Sequence, residues 1–144
     1  MRFCKRLAGG VTTVNVNPGS GNPIGGQAVA LHTHGRTVDE MVLRSPSGVK
    51  SALGENPKRS NWGDGLDPRY PTTRMGVQEA IRERFQAARD YQRRLADWRH
   101  APSKDRVPPR IDLQLAALVE ILEGQRSVHC HSYRQDEILG LIRL

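Results

Sequence analysis

Residues 127–144 read SVHCHSYRQDEILGLIRL. Ser127 to His131 alternates as a short strand does, and DEILGLIRL then repeats its apolar residues at helical spacing. A strand handing over to a helix is half of a βαβ unit. On a strand, alternate residues share a face, so His129 and His131 point one way and Cys130 the other. His129 follows Val128 directly at the strand terminus. Imidazoles placed there suit a divalent metal. The plainer alternative is a pair of hydrogen-bonded histidines with no metal. A catalytic zinc takes about three protein ligands, so these two residues cannot form such a site by themselves.

Working outward, IDLQLAALVEILEGQ (111–125) predicts a Leu-rich helix closed by Gly124. Before it, APSKDRVPPR (101–110) is a charged, proline-broken linker. From Met75, Val77, Ile81, Phe85, Ala88, Tyr91, Leu95 and Trp98 recur at steps of three or four, the apolar stripe of one long helix. Further upstream lie two expected strands, GVTTVNV (10–16) and AVALHTHG (28–35). Between them NPGSGNPIGGQ (17–27) reads as a long glycine-rich loop. Thr37 and Glu40 have the spacing of a capping box for a brief helical turn, TVDEMVL. Val49 and Lys50 suggest one more short strand. Strands alternating with helices argue for an α/β fold with a parallel sheet. In such sheets ligands bind at the C-terminal ends of the strands.

Several residues sit at those ends. Lys50 is a surface lysine in the ordinary reading. If desolvated, its amine could react with CO2 to give a metal-ligating carbamate. Glu55 is a competing carboxylate ligand or a solvated loop charge. Lys58 and Arg59 could hold an anionic substrate group or face water. His32 and His34 form an HxH pair that two-residue alternation could aim at one metal. The glycine loop lacks the GK[ST] of a phosphate loop and opens no helix, so it meets neither nucleotide fingerprint.

The net charge of +7 and a pI near 10.1 raise the prior for a polyanion partner. The distribution lowers it again. Between Arg82 and Arg99 the basic residues alternate with Glu83, Asp90 and Asp97, as on a solvated helix face. Stacking aromatics beside the basic residues are also missing. A basic binding module stays as the alternative reading, as does an inactive truncated product; neither nucleic acid nor membrane is an expected partner. Cys4 and Cys130 belong to no CxxC pair, and both read as reduced thiols. No apolar run is long enough to span a membrane. The N-terminus has no signal core, so the chain as given reads as cytoplasmic, with a secreted or periplasmic parent left open.

Five consecutive blocks together carry a family likeness: GVTTVNVNPGSGNPIGGQ (10–27), GRTVDEM (35–41), GVKSALGENPKR (48–59), TTRMGVQEAIRERFQAARDY (72–91) and VHCHSYRQDEI (128–138). They resemble the amidohydrolase superfamily, nearest to its imidazolonepropionase-like and prolidase-like members, and cover nearly the whole chain. The resemblance implies a (β/α)8 TIM-type barrel with one or two divalent metals, usually zinc. It implies a metal-activated water that cleaves the C–N bond of an amide, cyclic amide or peptide-like small molecule. Lys50 then matches the fourth-strand lysine and His129 the fifth-strand histidine. His131, Glu55, Lys58 and Arg59 become residues that back the metal site or meet substrate. His32 and His34 imitate the first-strand HxH, but fall after the block that the true pair should precede, so they are set aside as ligands. The first-strand HxH, the sixth-strand histidine and the eighth-strand aspartate have no counterpart. Residues 1–144 are therefore expected to be a single partial barrel domain, roughly strands two or three to five, with both flanks missing. Such a piece would be inactive alone and prone to self-association through open edges.

Overall fold

A computed structural model describes residues 2–58, 69–101 and 107–144. The elements are α1 (Arg2–Ala8), β1 (Thr13–Val16), β2 (Ile24–His32), α2 (Val38–Met41), β3 (Val42–Ala52), α3 (Arg74–His100), α4 (Leu113–Leu122), β4 (Ser127–His131) and α5 (Gln135–Ile142). The fold is mixed α/β, built on a curled half-barrel sheet of four strands.

The strand order is β1-β2-β3-β4. Pairs β1–β2 and β2–β3 are antiparallel, and β3–β4 is parallel. The expectation of a parallel sheet therefore holds only for the last pair. The reason lies in the connections. Residues 17–23 and 33–41 are too short to carry the chain back to the start of a parallel neighbour, which takes a crossover of a dozen residues or more. Only between β3 and β4 does a long helical segment intervene.

Two strands are also longer than their sequence signals. Ile24–Gln27, expected as loop, forms the start of β2, whose register shifts between Ile24 and Gly26, the latter at φ 133. That positive φ is open to glycine and costly for other residues. β3 begins at Val42, so Val42 and Leu43 leave the predicted helical turn and extend. The turn itself keeps four residues, with the Thr37 hydroxyl accepting from the Glu40 N–H at 3.3 Å.

The long helix forms as the stripe predicts. Thr73 caps it, accepting from Gly76 N–H at 3.0 Å, and Val77, Ile81, Ala88 and Tyr91 are buried. Asp112 caps α4 by accepting from the N–H groups of Gln114 and Leu115. Gly124, at φ 73, ends that helix. Helices α3, α4 and α5 cover one face of the sheet. There Val49, Ser51 and Val128 line a cavity of about 200 Å³ together with Ile81, Phe85, Leu118 and Leu141. Leu53, Val77 and Ile81 form the buried centre, with Cys130 packed against them. By strand alternation, Gly48, Lys50 and Ala52 on β3 and Ser127, His129 and His131 on β4 turn to the opposite face. No helix among the described residues is long and apolar enough to cross a membrane.

Candidate functional site

The parallel pair β3–β4 brings together residues that are far apart in the chain. Lys50 registers with His129, and Ala52 with His131. Register partners on neighbouring strands share a face, so Lys50 and His129 lie side by side on the same side of the sheet. Gly25 on β2 also borders Lys50: a Cβ built there would lie 3.7 Å from the lysine Cγ.

Gly48 makes the room for His129. A Cβ at this buried glycine would fall 2.5 Å from the imidazole Cδ2, 2.6 Å from Nε2 and 2.8 Å from the Ser127 carbonyl oxygen. The ring therefore lies directly over the bare Cα of the neighbouring strand. Its Nε2 is buried and has no hydrogen-bond partner. A buried nitrogen left without a partner loses about 1–3 kcal/mol of hydration it does not recover. A neutral imidazole nitrogen is also the commonest protein ligand for a transition metal. The donor type, its burial and the neighbouring lysine fit a metal. Among the described residues, however, no group of three or more His, Cys, Asp or Glu side chains could hold one.

His131 has a different environment. Its Nε2 pairs with the Asn56 Nδ2 at 3.0 Å, and its ring stands edge-on to Tyr133 with centroids 4.6 Å apart. Its carbonyl accepts from Leu53 N–H at 2.8 Å, so the exits of β3 and β4 are tied by backbone as well.

The loop after β3 is held by ions. Glu55 receives Lys58 at 2.7 Å and Arg74 at 2.9 Å, and Arg74 also reaches the buried Glu137 of α5 at 2.5 Å. Lys58 is thus taken up by Glu55 in its own loop. Arg59 lies outside the described residues. His32 ends β2 and His34 lies beyond it, their ring centroids 5.8 Å apart. β3 separates this pair from β4 and His129.

Cys130 sits between the two histidines in sequence but on the other face, in the core. Burial pushes its thiol pKa up, against smaller lowering contributions from the Ser51 hydrogen bond and the Lys50 charge. It is a packing residue there, outside the polar cluster. A cavity of about 830 Å³, lined by residues such as Tyr91, Trp98, Val107 and Ile111, shares none with this cluster.

Sequence reasoning missed Gly48, Asn56, Arg74 and Glu137. Gly48 carried a usable signal, lying two residues before Lys50 on the same strand face. The other three become visible only when β4 is registered against β3.

No family model matches the chain. A curated relative, the amidohydrolase tasK of Hapsidospora irregularis, is 33% identical over 152 residues, which cover 94% of this chain and 15% of the relative. The crystal structure of an amidohydrolase from Thermotoga maritima MSB8 matches with a TM-score of 0.79 and 34% identity, over 95% of this chain and 34% of that one. The chain is thus alike in sequence to both proteins and in shape to the second, and these likenesses support a hydrolase fragment. These matches support the amidohydrolase superfamily for this chain, which spans about a third or less of the length of the relatives it matches.

Proposed function

We propose that this chain forms part of a (β/α)8 barrel hydrolase that cleaves C–N bonds of amides, cyclic amides or small peptides, and that Lys50 and His129 are its share of a metal site. The observation that carries the reading is the buried, unpartnered Nε2 of His129 beside its register partner Lys50. His129 would offer that nitrogen's lone pair. Lys50, carboxylated by CO2, would offer carbamate oxygens. When bound, a divalent metal, zinc by the resemblance, would lower the pKa of a water for attack on the amide carbon. The remaining ligands and the base for the water belong to strands that this chain does not supply.

The test is amide hydrolysis by a polypeptide that carries this segment within a complete barrel. His129→Ala and Lys50→Ala should each lower kcat/KM by more than about a hundredfold, the scale at which even groups behind a metal ligand count. His34→Ala should leave turnover within about twofold. Full activity of His129→Ala would overturn the assignment.

A further inference from the structure

The loop that leaves β3 is fixed more firmly than its exposure requires, and all of the fixing converges on one imidazole. Gly54 has φ 69, and a Cβ there would fall 2.6 Å from Glu137 Oε2 and 2.7 Å from Arg74 Nη1. The backbone thus passes directly against the Arg74–Glu137 pair. The next residue, Glu55, takes the other side of the Arg74 guanidinium. The residue after that, Asn56, places its amide nitrogen 3.0 Å from His131 Nε2. With the amide nitrogen turned to the ring, Asn56 donates and Nε2 accepts, and in the neutral ring the proton then stands on Nδ1.

We infer that Asn56 selects the Nδ1–H tautomer of His131, which occupies its Nε2 and keeps this second histidine out of the metal set as a neutral hydrogen-bond donor. In this arrangement Arg74 is a positioning residue, since it joins Glu55 to Glu137 and so holds the loop that presents Asn56. The inference builds on the reading that the ends of β3 and β4 form the site. It separates two histidines that sequence alone treats alike: His129 has a buried free nitrogen, and the matching nitrogen of His131 is already bonded.

Long-range 15N–1H correlation spectra of the metal-free chain read the tautomer directly. The expected result is a single Nδ1–H form for neutral His131, a mixture of tautomers in Asn56→Ala, and a shift toward that mixture in Arg74→Ala. Arg36→Ala, which removes an exposed pair with Glu40 elsewhere, should change nothing. An Nε2–H form in the wild-type chain would overturn the inference, as would an unchanged tautomer in Asn56→Ala. An unchanged tautomer in Arg74→Ala would remove Arg74 from it. Zn2+ added to a complete barrel that carries this segment keeps the two claims apart. Perturbation of His131 Nε2 together with His129 sinks the inference and leaves the metal reading standing. A retained His131 tautomer with no imidazole responding sinks the metal reading and leaves the inference standing.

Discussion

At Gly48 a single methyl group has no room. The Ser127 carbonyl beside it is backbone and cannot swing away, and the His129 ring lies against it on the neighbouring strand. Gly48→Ala should cost about 1–3 kcal/mol, the usual range for overpacking, measured by denaturant unfolding. In a His129→Ala background the same change should cost less, because half of the obstruction is gone. Equal costs in both backgrounds would mean that the ring does not lie over Gly48. The cysteines offer a second test at this scale. Burial raises the Cys130 thiol pKa, whereas Cys4 is exposed. Because the thiolate is the reactive form, iodoacetamide at neutral pH should label Cys4 well before Cys130. The sign for stability follows from the same shift. The folded pKa lies above the unfolded one, so the buried thiol's contribution is intact below the ordinary thiol range and is lost as pH rises through the raised value.

Among the elements, α3 was the most legible in sequence, because an apolar stripe at steps of three and four over seven positions fits a helix and no strand. Its energetics should follow the stripe. Ile81→Ala should destabilise by about 2–5 kcal/mol and the cap variant Thr73→Ala by about 1 kcal/mol. Met75→Ala, at a residue 77% exposed, should stay within about 0.5 kcal/mol. Thermal or urea unfolding of the three variants checks this ranking. The strands were less legible for identifiable reasons. Gly25 and Gly26 read as loop, yet pairing with β3 carries them into β2 through an irregular register. Pro46 interrupts the signal of β3, although the strand runs through it. Lys50 and His129 could be named as candidates from the family likeness of their blocks. Their pairing could not, because the register that joins them is set by a crossover through two helices. The Asn56–His131 contact lies 75 residues apart in the chain and was hidden for the same reason.

For the molecule as a whole, β1 and β4 each have one sheet neighbour among the described strands. Beside β4, Val128 is partly exposed, and α5 exposes Ile138, Leu139 and Ile142. An open strand edge next to apolar side chains is a template for pairing. We propose that the chain self-associates through this side. Sedimentation velocity should show a weight-average mass that rises with concentration, and Val128→Lys should lower it; a monomer throughout the range would contradict the proposal. The same incompleteness governs the chemistry. On the proposed reading, His129 and Lys50, register partners on two parallel strands, would supply only part of a metal site. The most direct test is a Co2+ titration of the isotopically labelled chain followed by NMR, because paramagnetic broadening reports which side chains sit nearest the ion. The account predicts that the His129 imidazole and the Lys50 side chain broaden first, and that His129→Gln abolishes the effect. Broadening centred on His32 and His34, with His129 unaffected, would contradict it.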